Sequence, residues 1–184
     1  PPISIRLAPA LQQLAILPTN VQVTPINPFS PWLIITPTII FDQTLLSPKA
    51  SYSPILLVSR AYEILQQFPH HKTIYTDGSK AGNKVAAAAV TPTHTLQQRL
   101  PDNSSVFKAE LQAINIAMSH IKHNPESNYI ILSDSQSALK AIASKDLNNP
   151  IIQSILTHLH DITCRTSVIF CWIPSHIGIK GNEL

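Results

Sequence analysis

Between residues 105 and 123 the chain has neither glycine nor proline. Phe107, Ile114, Ala117 and Ile121 recur there at helical spacing, with Leu111 and Met118 beside them. This predicts a helix with one apolar side. Glu110 falls on that same side, although the stripe can also rotate enough to bring it to the surface. An unpaired carboxylate is costly to bury, so a glutamate on a core face neutralises, pairs or binds a metal. Shorter apolar runs predict strands. Residues 73–76 lead into Asp77, and 129–133 lead into Asp134. Residues 85–90 and 93–100 read as antiparallel strands joined around Pro92, and residues 149–163 as a helix with Ile152, Ile155, Leu156 and Leu159 inward. Residues 167–173 return as a strand. Three strands, a helix, a strand, one or more helices and a last strand predict an α/β fold, a mixed sheet with helices against its faces.

The order strand-Asp, helix-Glu, strand-Asp suits divalent-metal phosphoryl chemistry. Neighbouring parallel strands gather their carboxyl ends on one sheet edge, where open α/β sheets bind ligands. Three clustered carboxylates repel one another until a hard cation such as Mg²⁺ takes their oxygens. Two such ions, roughly 3.5–4 Å apart, can clamp the attacking and leaving oxygens of an in-line displacement. Each Asp also has a plainer reading as a turn former or cap. Asp134 in particular precedes residues 135–144, where Ala138, Leu139 and Ala141 favour a helix that it can N-cap.

Composition divides the chain. Eleven of the sixteen prolines precede Lys72 and all four glycines follow it, so the two parts obey different backbone rules. In the first part Pro18, Pro25, Pro28, Pro31, Pro37, Pro48 and Pro54 interrupt every apolar run. A short helix in residues 1–17, an extended piece in 32–41 and a helix in 53–67 are all it supports. Residues 1–68 therefore read as a connection segment and not as a compact domain. The segment is too apolar for a solvated linker and should lie on a neighbouring surface. The remainder, residues 69–184, has the usual size of one domain.

Charge adds less. The formal net charge is +3 with a sequence pI near 9.0, and no dense basic patch appears. Lys80, Lys84, Arg99, Lys108 and Lys180 are candidates for phosphate contact, or are ordinary solvated surface. Cys164 and Cys171 lack a second Cys pair or a His pair, which argues against zinc; both read as buried thiols of a reducing compartment, cytoplasm or nucleus. His120, His123, His158 and His160 read as surface residues. No apolar stretch reaches the roughly 20 residues of a membrane span, and no signal peptide is visible.

Four strings carry a resemblance: Ile74 to Lys80 (Ile-Tyr-Thr-Asp-Gly-Ser-Lys), Phe107 to Ile114, Leu132 to Leu139, and Trp172 to Glu183. In order and spacing they resemble the type 1 ribonuclease H domain, more narrowly that of jockey-like non-LTR retrotransposons, where it follows the reverse transcriptase in one polyprotein. The resemblance covers residues 69–184. It implies a ribonuclease H-like mixed five-stranded sheet, a Mg²⁺-dependent endonuclease acting on the RNA strand of an RNA/DNA hybrid, and two Mg²⁺ ions replaceable by Mn²⁺. It also implies Asp77, Glu110 and Asp134 as metal ligands, His176 as a loop histidine for proton movement and product release, and the reverse transcriptase of the same polyprotein as partner. Gly78, Ser79 and Asn182 are candidate substrate contacts, the first two because glycine permits close approach and because RNA is told from DNA at its 2′-hydroxyl. Val106 and Phe107 depart from the asparagines that some cellular members place there. A fourth acidic ligand belongs to a Gly-Asn-Glu-x-x-Asp pattern that Gly181-Asn182-Glu183-Leu184 begins, so a fragment lacking one ligand is expected. The alternatives are a ribonuclease H-like binding or tethering module without catalysis, and an integrase or transposase of the same superfold. Ligand order argues against the last, because those enzymes typically end their acidic set with the helix Glu.

Overall fold

In the computed structural model, which describes residue 13 and residues 33–41, 52–125 and 127–174, the strands form one mixed sheet. The elements are β1 (Thr38–Ile40), α1 (Pro54–Gln66), β2 (His71–Ala81), β3 (Lys84–Val90), β4 (Thr95–Leu100), α2 (Val106–His123), β5 (Asn128–Ser133), α3 (Gln136–Ala143), α4 (Pro150–Ile162) and β6 (Val168–Trp172). The strand order is β1-β6-β5-β2-β3-β4. The pairs β2/β5, β5/β6 and β1/β6 are parallel, and β2/β3 and β3/β4 antiparallel. The expected mixed α/β sheet is present with six strands instead of five. The sixth is β1, from the proline-rich segment.

Local sequence explains most boundaries. Gly82, with φ of 62°, and Asn83 make the two-residue turn between the paired ends Ala81 and Lys84, a connection that needs a positive φ. Side chains of Ser53, Ser105, Ser135 and Asn149 accept hydrogen bonds from backbone N–H groups in the first turns of α1, α2, α3 and α4, satisfying donors that have no intrahelical partner. Pro54 and Pro150 open α1 and α4, where a missing N–H costs nothing. The strand expected from residue 93 begins at Thr95, because the Thr91 hydroxyl and the His94 backbone close a turn over residues 91–94.

Both faces of the central strands are covered, which is why residues 129–132 of β5 are an unbroken apolar run. On one face Ile74, Ile131 and Phe170 pack with Leu111, Ile114, Met118 and Ile121 of α2, Leu139 and Ile142 of α3, and Ile152, Ile155 and Leu159 of α4. On the other, Ile130, Leu132, Ile169 and Cys171 meet Leu57 and Ala61 of α1. Of the upstream segment, the described residues around β1 lie on the domain's own sheet: Ile34 joins the first cluster, with Ile35, Ile39 and Phe41 packed against it.

Three expectations are corrected. Phe107 is 39 % exposed and lines a surface groove with Ser105 and Lys108, outside the core clusters. Cys164 is exposed on the turn after α4, and only Cys171 is buried. His120, His158 and His160 are partly buried and not free surface; burial, first among the causes, lowers the pKa of His120 and of His158.

Candidate metal centre

The centre begins where β5 leaves the sheet. The parallel β2/β5 register ends at Thr76 opposite Ser133, so Asp77 and Asp134 are the next residue on each strand. The Thr76 hydroxyl donates to the Leu132 carbonyl at 3.0 Å and ties the two strands just below them. Asp134 does end its strand as the sequence predicts. Asp77 does not: β2 runs on to Ala81 because β3 continues to pair with it after β5 has turned away. The N-cap role for Asp134 falls to Ser135, whose Oγ accepts from the Ala138 N–H at 3.3 Å. The Asp134 carbonyl accepts from the Gln136 N–H at 3.1 Å and from the Trp172 indole Nε1 at 3.1 Å. These bonds fix the peptide that carries the carboxylate.

Glu110 comes from α2, which lies unusually close to the sheet. Small residues allow it: Ala87 of β3 and Ala109 and Ala113 of α2 are buried together. Gly78 marks the closest approach. A Cβ placed there would lie 2.5 Å from the Glu110 backbone nitrogen and 2.8 Å from the Ala109 carbonyl carbon, both fixed backbone. The close approach that Gly78 permits here is to the chain's own helix α2. Glu110 is 7 % exposed.

One carboxylate oxygen from each of Asp77, Glu110 and Asp134 lies within 4.8 Å of the others. Burial pushes the Glu110 pKa up to about 8, helped by the negative charges of Asp134 and Asp77 and opposed by a hydrogen bond from the Gly78 backbone. Glu110 Oε2 is buried with no hydrogen-bond partner among the described residues. Three converging carboxylates and an orphaned oxygen fit a hard divalent cation, which removes the repulsion and supplies the missing partner.

The other expected residues are distributed differently. Ser79 is exposed on β2 beyond Gly78. His176, Lys180 and Asn182 lie outside the described residues. Arg99 pairs with Asp102 at 2.6 Å, and Lys80 donates to the Ser104 carbonyl at 3.3 Å, so neither is an uncommitted cation. A groove of about 390 Å³ between the starts of α2 and α4 is lined by Ser105, Phe107, Lys108, Asn148 and Asn149 among others. A larger one, about 700 Å³ between β4 and α2, contains none of the three carboxylates. Trp172 is the contact that sequence reasoning missed. Its signal was present, a tryptophan at the last position of the final strand, but its partner is not near it in sequence.

The fold and the acidic cluster define an α/β protein with a carboxylate centre where the parallel pairing of β2 and β5 ends. The family model for RNase H matches residues 69–184, more than half of the chain. The chain belongs to the RNase H family. It is also 36 % identical over 121 residues to the Pol polyprotein of equine infectious anemia virus (strain Wyoming), an alignment covering 61 % of this chain and 10 % of that protein. The chain therefore spans about a tenth of this curated relative. Among the described residues no helix is long and apolar enough to cross a membrane.

Proposed function

We propose that the chain is a type 1 ribonuclease H, a Mg²⁺-dependent endonuclease that hydrolyses the RNA strand of RNA/DNA hybrids. The convergence of Asp77, Glu110 and Asp134 at the end of the β2/β5 register carries this reading, and family membership supports it. The three carboxylates would hold two Mg²⁺ ions, or Mn²⁺ in their place; bound there, the metal supplies an activated water and charge stabilisation at the leaving oxygen. Water oxygen bonds to the scissile phosphorus as the bond to the 3′ oxygen breaks, leaving a 5′ phosphate and a 3′ hydroxyl. His176 moves the proton to the departing oxygen and assists release, a task suited to an imidazole titrating near neutrality. Gly78, Ser79 and Asn182 contact the hybrid, and discrimination against DNA rests on the 2′-hydroxyl.

The setting we infer is a retrotransposon polyprotein of the jockey-like, non-LTR kind. There residues 1–68 connect the nuclease, residues 69–184, to a reverse transcriptase as its partner. The four motif strings support it, and similarity to a viral Pol polyprotein supports the polyprotein context. The test is cleavage of a labelled RNA/DNA hybrid by the domain in its native polypeptide. RNA should be cut with Mg²⁺ and DNA spared, and Asp77→Asn or Asp134→Asn should abolish cutting. Equal cleavage by the unsubstituted domain and either variant refutes the assignment. Hybrid binding without cleavage would instead favour a tethering module.

A further inference from the structure

We infer that the upstream strand β1 and Trp172 form a positioning relay for Asp134, so that residues before the family-matched region help set the metal centre. The inference rests on the metal reading of the three carboxylates.

The first contact is a clamp. Lys145 follows α3 with φ of 55°, a backbone conformation that few non-glycine residues adopt. From there its Nζ donates to the Ile34 carbonyl at 3.2 Å and to Thr36 Oγ1 at 2.9 Å. Ile34 is 7 % exposed in the main core, so the clamp and the core hold the same short stretch. The second contact is the sheet, where Thr38, Ile39 and Ile40 pair with Ile169, Phe170 and Cys171 of β6. Ile39 packs against the cluster on one face and Ile40 against that on the other, which fixes the register, since a slip of one residue would exchange the faces.

β6 without β1 would be an edge strand, paired only to β5. With β1 in place it is held on both sides up to the residue before Trp172. Trp172 and Ile173 then deliver that order to the centre: the indole Nε1 donates to the Asp134 carbonyl, and the Ile173 N–H donates to the Ser133 carbonyl at 3.0 Å. Asp134 is the ligand whose main chain has just left the sheet, so its carboxylate direction depends on these bonds more than that of Asp77, which stays within a paired strand. Trp172 is a positioning residue, acting through the Asp134 peptide. β1 acts one step further back.

The experiment measures Mn²⁺ binding to the full chain by calorimetry, with thermal melts and hydrogen exchange alongside. Trp172→Phe keeps the ring and removes the donor; Lys145→Met keeps the stem and removes the clamp. Trp172→Phe should weaken Mn²⁺ binding about three- to tenfold, the scale of one hydrogen bond. Lys145→Met should weaken it by roughly twofold or more, with faster exchange in β6. Lys122→Met, which breaks only the exposed pair with Asp161, should leave Mn²⁺ binding unchanged and serves as the control. A purely structural role would lower the melting temperature of the two test variants with wild-type Mn²⁺ affinity in both, and that result overturns the relay. If Trp172→Phe fails to fold, Lys145→Met decides alone. A wild-type chain that binds no Mn²⁺ overturns the metal reading itself, a separate failure.

Discussion

Glu110→Gln isolates the electrostatic strain of the centre. In the folded chain the Glu110 carboxyl titrates at about 8 against an ordinary 4.5. Unfolded, it returns to the ordinary value, so between those pH values the folded state holds the extra proton. Stability therefore falls as pH rises through that window, is highest for this group below about 4.5, and reaches its floor above about 8. At ~1.4 kcal/mol per pH unit the whole span is worth at most ~5 kcal/mol. Asp77 and Asp134 are not buried, so solvent screens part of the repulsion, and about half that value is the working figure. For a chain of this size it corresponds to roughly 5–10 °C in melting temperature. Glutamine has nearly the same shape and no charge to desolvate, which removes the slope. The assay is denaturant unfolding in EDTA from pH 4.5 to 8.5, repeated at pH 7.5 with Mg²⁺, values chosen to span roughly the titration window. The unsubstituted chain should lose stability across the range and regain it with Mg²⁺. The variant should lose that much less stability than the unsubstituted chain across the range in EDTA and gain little from Mg²⁺. Parallel pH curves for the two proteins would refute the argument.

Gly78→Ala should destabilise the chain by about 1–3 kcal/mol and weaken Mn²⁺ binding, because its methyl group meets helix backbone at Glu110; calorimetry and melting read both. Met118→Ala should cost about 2–5 kcal/mol, since Met118 is fully buried beneath the sheet, while Mn²⁺ affinity per folded molecule stays constant. Ser135→Ala removes the α3 cap and should cost ~1 kcal/mol, measured by denaturant midpoint. His176→Ala, in the native polypeptide, should lower kcat on a hybrid by about one to two orders of magnitude with little change in metal affinity; unchanged turnover would leave it without a catalytic role.

The helices were legible because their signals are local. The stripe on α2 and the inward Ile152, Ile155, Leu156 and Leu159 of α4 lie within a few residues of what they determine, whereas the cap of α3 falls on Ser135, one residue past the Asp134 that the sequence offers. Glu110 was legible for the same reason, as a charge on an apolar line. The extent of β2 was not, because polar Asp77, Ser79 and Lys80 carry no apolar alternation and are held in the strand by β3. Nor was the destination of β1. Its three residues follow Pro37 and pair with β6, more than a hundred positions later, so no window around them names the partner. The exposure of Phe107 is likewise not legible in the periodicity of α2, which puts it on the line of Ile114 and Ile121.

The strand order also sets a timetable for a chain emerging from the ribosome. β2, β3, β4 and α2 are consecutive and pack together, so this portion can fold early from contacts close in sequence. β5 then needs β6 on its other side, and β6 needs β1, which was synthesised long before it. Pairings across such spans close slowly, since the chain entropy is lost before the contacts form. Asp134 receives its Trp172 bond only when that last strand docks. The acidic centre should accordingly assemble in two stages, with Asp77 and Glu110 brought together first and Asp134 fixed only after residue 172 has left the exit tunnel.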